Sequence, residues 1–439
     1  MIARRFPRLW LLAVLTGLVL ISAGCDQIPI PGLGNGSDVT ATPSQPVFSP
    51  TAEITLTPTL NAPTQPGSTT LRVWLPPEFD PAAGSPAGDL LQKRLDEFQK
   101  RRPNVKIDTR IKAVEGTGGM INTLTTASVA APLALPDLVA LPRRSIETAV
   151  QKGLLYPFGN LGPLENAEWF DYAAELSGLE QGQYSLPFAG DALVLHYRPE
   201  LVESPPETWE AILQTQAPLL FPAASPQALF TLAQYEASGG AIEDQDGRPF
   251  LDQTILTALY IFYQQASSGE QMPFWLTQYE DDDQVWQAYQ EHQAPMVVNW
   301  LSRYLAPKPD DTAIGQLPTQ DGTPYTLATG WVWASPNQDP TRRDLSTELA
   351  VFLSDAEFLS DWTLTAGYLP TRPDVLAGWD DVALQALASR VIAAAQPYPS
   401  PDLLNIIGPA LQQTTIDVLK QQDTPAAAAE RAAGEVNTP

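Results

Sequence analysis

Metal or nucleophile chemistry in this chain has few residues to draw on. The 439 residues hold one cysteine, Cys25, and two histidines, His196 and His292. Neither histidine stands beside a second ligand-type residue at a zinc spacing. His196 lies in the apolar run ALVLHYR, where a satisfied structural imidazole is the expected reading. A nucleophilic serine would want a strand-to-helix elbow such as G-x-S-x-G, and the sequence has none. The glycine-rich EGTGG at 115–119 lacks the Gly-Lys-Ser/Thr ending that would cradle phosphate, and reads as a flexible loop. Two acidic strings resemble cation sites and are set aside. DQDG at 244–247 begins like a calcium loop, but no bidentate acid follows at the required distance. EDDD at 280–283 reads as a solvated helix start capped by Asp282 or Asp283. No catalytic residue, metal or cofactor is assigned.

Aromatic residues at loop-like positions are the remaining chemical signal: Trp275, Trp300, Trp331, Trp333, Trp362, Tyr368 and Trp379. Burial is the ordinary fate of an indole. Trp331 and Trp333 share one side of a strand, however, and the preceding Gly330 gives them room to face a cleft. The flat C–H face of a sugar ring suits such a surface, with carboxylates, amides and arginines around its hydroxyl edge.

The segments that must position these residues alternate between periods of two and of 3.6. Leu71, Val73 and Leu75 alternate as a strand. Leu90, Leu91, Leu95 and Phe98 then share a helical face behind Asp89 as N-cap, with Pro103 ending the helix. Val105, Ile107, Thr109 and Ile111 alternate again. This β-α-β order implies parallel strands and an α/β fold. Further helices are expected over 120–130, 145–152, 208–214, 228–238, 252–268, 283–290, 346–366 and 406–421, and strands over 135–141, 192–197, 296–300 and 331–334.

Ahead of this lies a leader with Arg4, Arg5 and Arg8, an apolar stretch from Leu9 to Ile21, and Ser22-Ala23-Gly24 before Cys25. It reads as a signal peptide (1–24) cleaved so that Cys25 carries lipid. Residues 25–69 are rich in Pro, Thr, Ser and Gly and read as a tether, reaching about 35 to 40 Å as a coil. Cys25 being committed to lipid, no internal disulfide is available, and the exported part must rest on its core. Formal charge is −25 for the whole chain and −28 once the three leader arginines are gone. No basic stripe interrupts that acidity, which excludes nucleic acid as a partner.

Taken in order, the segments resemble the carbohydrate-type extracellular solute-binding proteins of ABC importers, the group that includes maltose-binding proteins. The strings that carry this are LRVW, LLQKRLDEFQKRRPNVKIDTR, PDLVAL, QKGLLYPF, YSLPFAGDALVLHYRPEL, PPETWEAIL, HQAPMVVNW and FLSDAEFLSDWTLTAGYLPTRPDV. The resemblance implies a two-lobe periplasmic-binding-protein type II fold with hinge-crossing segments and an interlobe cleft. The lobes are expected at 70–190 with 312–366, and at 191–311 with 367–436. Carried over by position, Asp191, Trp300 and Trp331 would contact ligand, with Glu78 and Arg144 at polar-contact positions. Arg198, Pro295 and Leu141 depart from the family pattern. The implied protein is a monomer on the outer face of the cytoplasmic membrane, held by lipid on Cys25, that binds a sugar or oligosaccharide and hands it to a permease. A cationic or other polar solute is an alternative, as is a secreted glycoside hydrolase using Glu78 and Asp191.

Overall fold

The computed structural model describes residues 68–176 and 183–438. Cys25, the leader and nearly all of the proposed tether lie outside them. The chain opens with strand β1 (Thr69–Leu75), helix α1 (Pro86–Arg101) and strand β2 (Val105–Ile111). β1 pairs in parallel with β2, as the β-α-β reading requires. α1 starts earlier than Asp89 implies. Ser85 is its N-cap, accepting from the Gly88 amide at 3.1 Å, and Pro86 fills the first position, where no N–H is needed.

Next come α2 (Met120–Ala130), β3 (Leu138–Pro142), α3 (Ile146–Gln151) and α4 (Asp171–Leu176). β3 lies beside β1 in parallel. Alternation along these strands gives the sheet two buried faces. Leu71, Val73, Leu75, Leu138 and Ala140 pack one way, against Leu91, Leu95 and Phe98 of α1. Trp74, Val139 and Leu141 pack the other way, against Met120, Leu124 and Ile146. Leu141, a departure from the family pattern, is thus core.

β4 (Ser185–Tyr197) is the longest strand and begins well before the expected Ala192. It is followed by α5 (Trp209–Gln214), β5 (Leu219–Leu220), α6 (Leu229–Ala237), α7 (Gln253–Ser268), α8 (Asp282–Gln290), β6 (Met296–Trp300), α9 (Ser302–Leu305), β7 (Ala313–Gly315) and β8 (Thr326–Ala334). The first half of β4, Ser185 to Ala192, runs antiparallel to β8, which in turn pairs with β3. From Leu193 onward β4 takes β6 and β7 as partners instead. One strand therefore passes from the first lobe's sheet into the second's.

The rest of the chain forms α10 (Pro340–Leu353), α11 (Ala356–Ala366), α12 (Pro373–Ala377), α13 (Val382–Ala394), β9 (Ala395–Pro397), α14 (Pro401–Leu419) and α15 (Pro425–Asn437). The single helix expected over 346–366 is two, because Asp355 caps α11, accepting from the Phe358 amide, and so starts a new helix. α5 to α8, α14 and α15 enclose β5 and β6 in a second core around Phe221, Tyr260, Tyr263 and Leu411.

Core membership locates two further crossings. Leu327 belongs to the second core and Ala328 to the first lobe, and the same change occurs between Ala395 and Tyr398. The expected lobe boundaries need correction accordingly. β7 pairs into the second lobe's sheet and Leu317 lies in its core, though Ile314 packs on the first, while α12 and α13 bury Leu376, Trp379, Leu384 and Ala388 in the first. The third crossing is the short β9, paired in parallel with β8, rather than the segment after Ala366.

Candidate ligand-binding site

Asp191 lies on β4 just before that strand changes sheets, and is 8% exposed. One carboxylate oxygen accepts from its neighbour's amide, Ala192, at 2.9 Å and from the Ser302 amide at 3.1 Å. Burial pushes its pKa up to about 7, with the Ser302 and Ala192 hydrogen bonds and the Arg303 charge pulling the other way. A carboxyl so placed is near its ionisation midpoint at neutral pH. It can either accept from or donate to a hydroxyl.

Close packing holds it there. Gly190 faces Gly330 across the β4–β8 ladder. A Cβ on Gly190 would stand 2.2 Å from the Tyr172 hydroxyl oxygen, and one on Gly330 2.4 Å from the Ala189 carbonyl oxygen. Tyr172 in turn donates to the Pro370 carbonyl at 2.7 Å. Backbone bonds in both directions between Gly190 and Leu369, at 2.8 and 2.7 Å, bring Tyr368 beside the crossing strand.

Tyr368 belongs to a group of rings centred on Phe79. Trp331, Trp362, Tyr368 and Phe188 all meet Phe79 edge-on, with centroids 4.9 to 5.6 Å away, a favoured aromatic geometry. Trp362, Phe188 and Phe79 are buried, and Trp333 is buried as well, stacked on Phe188 at 4.3 Å. Trp331 and Tyr368 are half-buried at the front. The expected pair therefore divides: Trp331 presents a ring while Trp333 is core. Burial raises the Tyr368 pKa, and the negative charges of Asp191 and Glu78 raise it further. Exposed Glu78, on a single turn after β1, thus shares this neighbourhood.

Trp300 ends β6, opposite Leu193 of β4. Its indole N–H donates to Asp282 at 2.8 Å, and its carbonyl accepts from His196 Nε2 at 3.2 Å. Burial lowers the His196 pKa to about 4, so the imidazole is neutral, with its proton on Nε2. This is the structural histidine the sequence suggests. The EDDD string is a helix start, as expected, but its cap is Asp281 rather than Asp282 or Asp283, and Asp282 is not solvated. Asp281 is the N-cap of α8, bonded to the Gln284 amide at 2.8 Å, Asp283 pairs with Arg303, and Asp282 turns inward to Trp300. Burial raises the Asp282 pKa, opposed first by the Trp300 hydrogen bond and then by Arg303. DQDG is a turn in which Asp244 binds Arg248.

Arg144 follows β3 and pairs with Glu115 at 2.7 Å. Both line a 340 Å³ cavity whose opposite wall comes from the second lobe: Gln227, Tyr398, Leu404 and Asn405. Tyr398 is raised to about 12 by burial, held back by Arg144 and raised by Asp282 and Glu115. Its environment thereby connects Arg144 to the Trp300–Asp282 pair. Glu78, Asp191 and Trp331 converge on Tyr368. Arg303 acts on Asp191, Asp282 and Tyr368 alike, linking the two groups. Sequence reasoning missed Asp282, Tyr398 and Glu115 as site residues. Arg198, for its part, is buried structure, donating to Asp311 and to the Tyr289 carbonyl.

Among the described residues, no helix is long and apolar enough to cross a membrane. No curated protein matches the chain in sequence. Solved structures do share its fold. A cyclic α-maltosyl-1,6-maltose-binding protein from Arthrobacter globiformis superposes with a TM-score of 0.68 at 16% identity, covering 84% of this chain and 98% of that one. Maltose-bound MalE3 from T. maritima gives 0.65 at 17%, covering 84% and 99%. An ABC transporter solute-binding protein from Thermotoga lettingae, bound to α-D-tagatose, gives 0.63 at 21%, again covering 84% and 99%. These likenesses establish the two-lobe periplasmic-binding fold. The sequence profile of the bacterial extracellular solute-binding proteins matches residues 93–388, from within α1 to within α13. With two lobes, three chain crossings and aromatic and acidic side chains gathered beside them, the chain belongs to that family of binding proteins and is extracytoplasmic.

Proposed function

We propose that this chain is the lipid-anchored solute-binding component of an ABC importer, taking a sugar or oligosaccharide between its lobes and delivering it to a membrane permease without transforming it. The observation that carries this reading is the placement of Asp191 and Trp331 on paired strands at the crossing, with Trp300 on the next strand. Half-buried rings beside buried carboxyls suit the two surfaces of a sugar. Several structural neighbours are described as holding maltose, maltotriose or maltotetraose, which supports a saccharide here. Glu78, Arg144, Asp191, Trp300 and Trp331 are assigned as ligand contacts. A solute gripped by both lobes favours the closed arrangement, since only that state makes both sets of contacts. Lipid on Cys25 and the segment 25–69 would keep a monomeric binding domain close to its permease.

Isothermal calorimetry against a panel of mono- to tetrasaccharides tests the reading, with chromatography of the same samples after incubation. Saturable heat with the sugar recovered intact is expected. Absence of heat from every saccharide, or release of shorter products, overturns it. Mass spectrometry of the N-terminal peptide from membranes tests the anchor; an unmodified Cys25 excludes it.

A further inference from the structure

The cavity between Arg144 and Tyr398 carries an incomplete set of hydrogen bonds. Arg144 reaches Glu115 through Nη2 alone, and its Nε is buried with no partner. Nε and Nη2 together form the side edge of a guanidinium, which two carboxylate oxygens match in parallel. Glu115 uses half of that edge. The hydroxyl of Tyr398, a residue only 8% exposed, also has no partner. Two donors on residues lining this one cavity thus lack acceptors, and unpaired buried donors are costly.

Glu115 is weakly held. Its side chain is 68% exposed, and exposed ion pairs contribute little. It sits on a loop where Gly116 and Gly118 have φ of +78° and +83°, a backbone that can rearrange because those residues lack Cβ atoms. It also lines the same cavity as Arg144, so a solute filling that space meets Glu115 directly. A neutral sugar that displaced it would leave the partly exposed Arg144 guanidinium without a counter-charge. A carboxylate that displaced it would exchange like for like and leave the local charge unchanged. The acidity of the whole chain acts weakly on that exchange, since charges beyond about 8 Å are screened at physiological salt.

We propose that the solute is a saccharide bearing a carboxylate, of uronate type, whose acid group displaces Glu115, takes the Nε–Nη2 edge of Arg144 and accepts from Tyr398. The proposal rests on the saccharide reading of the cleft and specifies its class. The probes are trigalacturonate and its carboxyl-reduced counterpart galactotriose, measured by calorimetry on the folded protein alongside maltotriose. The expected result is at least tenfold tighter binding of trigalacturonate than of galactotriose. Arg144→Gln should abolish that preference, Tyr398→Phe should narrow it severalfold, and Glu115→Gln should widen it three- to tenfold by removing the competitor. Thermal midpoints of the variants check folding, and Glu115→Gln, at an exposed position, serves if Arg144→Gln is unstable. Galactotriose or maltotriose binding as tightly as trigalacturonate, or a preference that survives Arg144→Gln or narrows in Glu115→Gln, overturns the proposal while leaving the saccharide reading intact. Failure of every saccharide to bind overturns both.

Discussion

Replacing Asp191 by Asn should stabilise the ligand-free protein, and only above acidic pH. The carboxyl titrates at about 7 in the fold against 3.8 for the free group, mainly because burial disfavours its charge. Between those values the folded state keeps a proton that the unfolded chain has released. Stability therefore falls as pH climbs through this window and levels off above it. At about 1.36 kcal/mol per pH unit separating the two values, the wild type loses roughly 4 kcal/mol to this one group. Asn has nearly the same shape and is always neutral. Its side-chain oxygen can still accept from the Ala192 and Ser302 amides, which the carboxylate does at 2.9 and 3.1 Å.

Urea denaturation at pH 4, 5.5, 7 and 8 reads the effect as a difference between the two proteins. Glu236 is also raised, to about 7, and His196 lowered, to about 4. Both titrate in the same window but occur in wild type and variant alike, so they cancel in the comparison. The gap should be small at pH 4 and open to as much as about 4 kcal/mol in favour of the Asp191→Asn variant at pH 8. With a slope of about 3 kcal/mol per molar urea, the midpoints then separate by roughly 1 M. Solute affinity should fall in the same variant if the carboxyl is, as proposed, a ligand contact. A gap independent of pH, or one that favours the wild type at pH 8, would refute the desolvation argument.

Gly190→Ala places a methyl 2.2 Å from a tyrosine hydroxyl that is already bonded to Pro370; overpacking of this kind costs about 1 to 3 kcal/mol, visible as a lower thermal midpoint, and an unchanged midpoint would mean that α4 moves freely. Two histidines make NMR titration direct: His196 should protonate near pH 4, so its stabilising contribution is complete above pH 6.5 and disappears as pH falls toward 4, whereas a midpoint near 6.5 would contradict its burial. Trp331→Ala should weaken saccharide binding by roughly two- to tenfold, the range of aromatic contact energies. Trp209→Phe, stacked on Phe262 in the second core, should leave calorimetric affinity as it is; equal losses in both would remove Trp331 from the site.

Local patterns carried most of the fold. β1, α1 and β2 are set by alternating apolar residues, a helical face and a terminating proline, and β6 falls where a short apolar run predicts it. Errors arise where long-range partners decide. β4 extends back to Ser185 through Pro187 and Gly190, residues that weaken a strand by local preference, because β8 supplies a full antiparallel ladder with an irregularity between Pro187 and Ala189. α13, rich in alanine, has too diffuse an apolar face to stand out, yet it seals the first lobe with Leu384, Ala388 and Val391. Missing it displaced the lobe boundary, since the crossing follows that helix.

The placement of candidate site residues was legible where it follows from their own strand, and obscure where it depends on direction. Asp191 and Trp331, carried over by position from the family resemblance, fall on paired strands at the crossing. Asp281, Asp282 and Asp283 look interchangeable in sequence, and a common role as solvated helix-start charges is the simplest assignment. Helical geometry forbids that uniformity, because each residue turns about 100° from the last. Three consecutive acids at the start of a helix lying against a sheet must face three directions. One caps the helix, one reaches solvent and Arg303, and the third is forced toward β6. There burial raises its pKa, and the Trp300 indole N–H and the charge of Arg303 pull the other way. Removing that acid should free the Trp300 ring to turn, which makes Asp282 a positioning residue for the proposed aromatic contact rather than one more surface charge.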